Sequence, residues 1–267
     1  MKERGFTLVE LIMVIVLAGI LAASLTVFMK PAIDAYFDSR RRADLIDMAD
    51  IALRQMTRDI RRAIPNSVIR HTASCLQLVP SIAGGRFRTE ADPDTSGSAP
   101  LNTSLPVISF DVLTPMGDTA KAGDWVVIDN QNGSEVYSGE SRASIANITP
   151  SSAASALYHH RVTLSSSKQF HAGYTGSRLM LVANAEQSVF YHCVGGRLYR
   201  TVGSFSDGAS LCSTIGSAIV ATDVEACIFD YETGATQQSA LVWLQLQLRR
   251  SDERVTLAHG AHLDNVP

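Results

Sequence analysis

One carboxylate, Glu10, interrupts an apolar run from Phe6 to Met29 in which the only other polar side chains are Thr7, Ser24 and Thr26. An ionised acid in hydrocarbon costs about 3 kcal/mol even on lenient insertion scales, so the chemistry open to Glu10 is that of an ion pair awaiting its cation. Snorkelling to the nearer interface gives partial relief, because Glu10 lies only about 6 Å along a helix from Phe6. A cation from another chain gives more. If the peptide before Phe6 is cut, a new α-amine arises at that depth, and Glu10 of a neighbour can pair with it.

The other reactive side chains point elsewhere. Cys75, Cys193, Cys212 and Cys227 lack the CxxC spacing of a zinc site, and their even number fits two disulfides in an oxidising compartment, with reduced buried thiols as the alternative. Three pairings are open; Cys193 and Cys212, nearest in a turn-rich stretch, form the expected first pair, which leaves Cys75 with Cys227. His259 and His262 are spaced HxxH, but on a segment that reads as a strand with a glycine break, and His159-His160 are adjacent, so neither pair suits a metal. Asp92 and Asp94 lack a calcium-loop pattern around them and read as a solvated acidic turn. The chain contains no GxSxG elbow, P-loop or HExxH, so no catalytic residue, metal or cofactor is expected. A net charge of -3 provides no field to hold a phosphate backbone, and nucleic acid is not an expected partner.

Elements must position these groups. As a helix, the run from Phe6 to Met29 reaches about 36 Å, enough to cross a hydrocarbon core of about 30 Å. Pro31 is expected to kink or open the helix, which resumes beyond it. There Leu45, Met48, Ala52, Met56, Ile60 and Ile64 form an apolar stripe, while Arg54, Arg58, Arg61 and Arg62 with Asp44, Asp47, Asp50 and Asp59 form a solvated face or an intersubunit ion-pairing surface. Pro65-Asn66 ends the helix.

Past residue 70 the period changes from helical to alternating. Strands are expected in CLQLVP, PVISFDVL, DWVVID, RVTL, RLMLVAN, QSVFYHC, RLYRTV, EACIFDY and ALVWLQLQLRR, with hairpins at Val194-Gly195-Gly196 and Ser251-Asp252-Glu253. Ser81 to Pro106 and Gly139 to Ala156 read as irregular surface excursions or mobile loops. The expected fold class is α+β, with a long N-terminal transmembrane and amphipathic helix packed on an antiparallel β-sheet.

Lys2, Arg4 and Gly5 followed by Phe6-Thr7-Leu8-Val9-Glu10-Leu11 resemble the class III leader and processing site of type IV pilins and type II secretion pseudopilins. The resemblance implies that a prepilin peptidase/N-methyltransferase cuts between Gly5 and Phe6 and methylates the Phe6 amine. It also implies that Glu10 sets register against the preceding subunit. The implied layout is a leader over 1–5, a transmembrane helix over 6–29, its amphipathic continuation over 30–66 and a periplasmic head over 67–267 of a type IV pilin-like fold. The implied partners are other major and minor pilins and inner-membrane lipid. Lys30, Arg40, Arg41 and Arg42 outnumber Lys2 and Arg4, and by count would hold the head inside, but long domains translocate largely regardless of charge.

Shorter segments narrow the resemblance. Ile51 to Arg62, Pro65-Asn66, Cys75-Leu76, Cys193 with Gly195 to Arg200, Ala226 to Phe229, and His262 to Pro267 are similar to the MshO-like minor subunits of MSHA pili and, next to them, to J-type minor pseudopilins. This implies a structural subunit that initiates or caps a filament. A periplasmic enzyme or binding module on an uncleaved signal anchor is the competing class, and it leaves Glu10 unexplained.

Overall fold

The structure is a computed structural model that describes residues 5–93, 97–116, 120–150, 158–171, 176–213, 218–233 and 239–264. Lys2, Arg4, Asp94 and the tail 265–267 lie outside these residues. A single helix, α1 (Leu8–Arg61), occupies 54 residues and extends about 80 Å. Among the described residues nothing in the apolar stretch of its first half is buried, and its second half buries Leu45, Ala49, Ala52, Leu53, Met56 and Ile60. Spacings of three and four place these on one stripe, to which Ala49 and Leu53 are additions and in which Met48 is only half-buried. The expected opening at Pro31 does not occur, for α1 runs unbroken through it. A proline removes one donor, and the flanking turns retain theirs.

Strands follow in the order β1 (Ile69–Thr72), β2 (Cys75–Leu78), β3 (Ala83–Arg86), β4 (Val107–Val112), β5 (Trp125–Ile128), β6 (Arg142–Pro150) and β7 (His160–Lys168). The remainder are β8 (Arg178–Val182), β9 (Ser188–Val194), β10 (Arg197–Gly203), β11 (Ala218–Ala221), β12 (Val224–Thr233), β13 (Ser239–Arg250) and β14 (Glu253–Asp264). Each expected strand is present. Both expected hairpins form too, with positive φ at Gly195, Gly196 and Ser251, as two-residue turns between twisted strands require. The supposed irregular stretches conceal β3 and β6, two strands built from Gly, Ser, Ala and Asn as well as β-branched residues.

The strands form three antiparallel sheets with orders β1-β2-β9-β10-β11, β12-β13-β14 and β3-β8-β5-β6-β7-β4. The first two wrap the buried stripe of α1, and Leu76, Leu78, Val189, Tyr191, Leu198, Phe229, Val242, Leu244, Leu246 and Val255 complete that core. The third sheet closes on itself. Phe87 bridges Val112, Leu113 N–H donates to Arg86 O at 2.7 Å and Arg88 N–H donates to Asp111 O at 2.9 Å, which joins β3 to β4. Gly85 lies at this seam, where a Cβ would come within 3.1 Å of Thr114 Cβ. The result is a six-stranded barrel filled by Phe87, Phe110, Val126, Ile145, Val162 and Leu181. Closure removes both of its edges.

The barrel is an insertion. β2 and β9 are neighbours in the first sheet, with Leu78 opposite Val189, and the whole barrel lies between them in the chain. Ile64, Val79, Val127, Val136, Val182 and Phe205 pack where it meets the helix end.

Both disulfides form, but not in the expected pairing: Cys75 joins Cys212, and Cys193 joins Cys227. Side chains alternate across a strand, and Cys75 sits opposite His192, one residue from Cys193. Cys193 therefore shares the helix-facing side with Leu76 and Tyr191, toward β12, while Cys75 faces the short turn Ala209–Ser213 that carries Cys212. Although close in sequence, Cys193 and Cys212 are kept apart because they lie on opposite sides of one sheet.

Candidate processing and assembly site

The start of α1 is built by Thr7. Its extended backbone precedes the first helical residue, and its Oγ1 accepts from the Glu10 N–H at 3.3 Å while its carbonyl accepts from Leu11 N–H at 3.2 Å. Thr7 and Glu10 thus hold the N-cap and N3 positions of a T-x-x-E capping pattern, a role that went unread in the sequence although the spacing announces it. The negative charge of Glu10 in the first turn complements the positive end of the helix dipole.

Gly5 and Phe6 are exposed just before this cap. A Cβ built on Gly5 meets nothing within 4 Å, and its φ lies outside the left-handed region, so the fold itself does not require glycine there. Phe6 is 74% exposed. Behind them α1 is long and apolar enough to cross a membrane, and none of its most apolar window is covered by the rest of the chain. That complete exposure differs from the core helix of a soluble domain, whose apolar face is buried.

The polar groups of this segment divide in two. Ser24 Oγ donates to Ile20 O at 2.7 Å and Thr26 Oγ1 donates to Ala22 O at 2.8 Å, so both hydroxyls are satisfied within the helix. Among the described residues nothing pairs with the Glu10 carboxylate.

The expected charged face of α1 needs one correction. Arg54 pairs with Asp50 at 2.6 Å on the surface, but Asp59 is buried. Asp59 Oδ2 accepts from Tyr191 Oη at 2.7 Å and from Arg200 Nε at 2.8 Å, and Oδ1 lies 3.0 Å from Arg62 Nη2. Arg200 also donates to Glu186, at the exit of the barrel. Burial pushes the Tyr191 phenol well above its ordinary range, and the Asp59 charge adds to that. Burial opposes the charge on Arg200, yet its bonds to Glu186 and Asp59 outweigh it and raise its pKa. No helical periodicity marks this cluster, because its members come from α1, β9, β10 and the short turn Asn184–Glu186.

The remaining candidates are not brought together. His259 and His262 are three apart on β14 and so lie on opposite faces; His259 Nε2 is 3.7 Å from Asp50 Oδ1, while His262 is exposed. Asp92 is buried rather than solvated, 3.9 Å from Arg88. Ligand atoms of Glu135, Glu140 and His171 lie within 4.8 Å of one another, but the Glu135 carboxylate already accepts from Gln131 N–H, Asn132 N–H and Asn132 Nδ2.

A family model described as the prokaryotic N-terminal methylation motif matches residues 1–26. No curated protein and no solved structure matches the chain. The motif, the uncovered apolar helix behind it and the α+β head it carries support a type IV pilin-like or pseudopilin-like subunit, membrane-anchored and bearing a leader of the kind that prepilin peptidase processes.

Proposed function

We propose that the chain is a minor pilin of the MshO-like type, a structural subunit without catalytic activity that helps to start or cap a filament. Its head faces the periplasm, and its mature N-terminus is a methylated Phe6. The observation that carries this reading is the solitary carboxylate. In lipid Glu10 costs about 3 kcal/mol, and the helix N-terminus returns only about 0.3–1 kcal/mol. Roughly 2 kcal/mol is left over, which one charge-assisted hydrogen bond of about 1.5–3 kcal/mol to a neighbour's N-terminal amine offsets. Cleavage between Gly5 and Phe6 supplies that amine at the right depth. Ala18, Gly19, Ala22 and Ala23 allow helices to approach closely once the charges meet.

The head suits a low-copy position. A barrel inserted beside the helix-packing sheets widens the subunit without widening its helix, and a filament end accommodates that more easily than a repeating layer does.

Glu10→Ala and Glu10→Gln test the reading in cells. Both are expected to insert and to lose the leader, yet to fail to crosslink to other pilins in the filament. Normal incorporation of Glu10→Ala would overturn the pairing role.

A further inference from the structure

We propose that the outer edge of β14 receives an extended segment of a different, neighbouring subunit as an added β-strand, an inference that takes the neighbour from the pilin reading above. The sheets dispose of their other edges. The barrel closes on itself, β1 and β11 span four residues each, and β12 is tied down by Phe229 N–H to Ala73 O at 2.7 Å, by Val224 N–H to Gly196 O at 2.9 Å and by the Cys193–Cys227 bond. β14 differs. It pairs with β13 through twelve consecutive residues from Glu253 to Asp264 without a bulge, and among the described residues nothing pairs with its other side.

The register shows which backbone groups are free. Arg250 and Glu253 flank a two-residue turn and exchange hydrogen bonds, so every second pair after them points away from the partner strand. Arg249 N–H confirms this parity by turning from β14 to Asp223 O, at 2.8 Å. The amides and carbonyls of Arg254, Thr256, Ala258, Gly260 and His262 therefore face outward, and all five residues are exposed. Beyond the charge of Arg254 at its start, the edge carries no proline, no lysine and no bulge as far as His262. A row of alternating donors and acceptors at strand spacing is matched by one class of ligand, an extended polypeptide.

The side chains beside this row add a seat. Trp243 is 46% exposed opposite Gly260, and a Cβ at Gly260 would lie 3.7 Å from its indole and 3.3 Å from Leu241 Cδ1. The missing side chain leaves a notch through which an apolar residue of the added strand reaches the indole. The ion pairs around it are internal, with Glu225 held by Arg254 at 2.7 Å and Asp230 by Arg70 at 2.9 Å. The incoming segment therefore needs an apolar residue opposite Gly260 rather than a charge.

An antiparallel pair made with a second copy of this chain does not fit. Antiparallel pairing of two β14 edges needs a two-fold axis normal to the sheet, and α1 lies along that sheet, so the two membrane anchors would point in opposite directions.

The test places a photocrosslinking residue at Thr256 in the full chain, in cells that assemble filaments. One adduct with another subunit is expected, lost in Ala258→Pro and kept in Ala258→Thr; the proline removes only an outward N–H and blocks the edge. An adduct with a second copy of this chain, no adduct, or one that survives Ala258→Pro would overturn the proposal. Should Ala258→Pro fail to form its disulfides, amide hydrogen exchange on the unaltered chain decides. Thr256, Ala258 and Gly260 are expected to exchange about 100-fold more slowly in the assembled filament than in detergent, and equal rates would overturn the proposal. Leader removal is scored in the same cells, and its failure would count against the pilin reading alone.

Discussion

Asp59 shows how much one side chain on α1 decides. It is the buried acid that joins the helix to Tyr191 and Arg200, and through Arg200 to Glu186 where the chain leaves the barrel. Removing one partner of a buried charge cluster leaves the others uncompensated, so Asp59→Ala is expected to destabilise the protein by about 3–5 kcal/mol in thermal or denaturant unfolding. The phenols give a second residue-scale expectation. Burial raises Tyr137, whose hydroxyl donates to Ser67 O at 2.6 Å, and raises Tyr191 as well. Their folded-state pKa values lie above the unfolded value of about 10, so their contribution is complete below that pH and is lost progressively above it. Melting temperature should fall as pH rises beyond about 10, and Tyr137→Phe with Tyr191→Phe should flatten that fall. An unchanged alkaline slope in the double variant would count against this cause.

At the scale of elements, α1 is held by shape as well as charge. Leu53 is fully buried between the helix and the sheets, and Leu53→Ala should cost about 2–5 kcal/mol, read as a shift in denaturant midpoint. The stripe that places Leu53 was legible, as was every strand with clear alternation, because burial on one side writes a period into the residues. Val242, Leu244, Leu246 and Leu248 on β13 are the plainest instance. β3 and β6 were not legible. Gly84 and Gly85 in β3 serve a seam between distant segments, and the exposed Asn147 and Thr149 of β6 carry no strong periodic signal. The unguarded edge of β14 also lies beyond what a sequence alone can show, since an edge is defined by the absence of a neighbour. At the head of α1 the N-terminal methylation motif could be read because its residues sit within a few positions of each other. Asp59, Tyr191, Arg200 and Glu186 could not, since only folding brings them together.

For the whole molecule, the disulfides and the barrel insertion are linked. Cys75 and Cys212 are separated by 137 residues and enclose the entire barrel, whereas Cys193 and Cys227 are separated by 34. Loop-closure entropy sets a ceiling of about 5 kcal/mol for the longer and about 4 kcal/mol for the shorter. Replacing Cys75 and Cys212 together by Ser should therefore destabilise the head more than replacing Cys193 and Cys227 together. Unfolding of the two double variants in urea checks this, and a larger loss from the shorter loop would contradict it. The same head hangs from one helix whose first turn carries Glu10, a carboxylate that nothing pairs with among the described residues, and in the proposed function that charge links the fold to assembly. The intact mass and N-terminal residue of the protein from its native membrane test this connection most directly. A chain that begins at a methylated Phe6, and that keeps its leader in cells lacking the peptidase, is the expected result. A chain that still begins at Met1, or whose size does not depend on the peptidase, would contradict it.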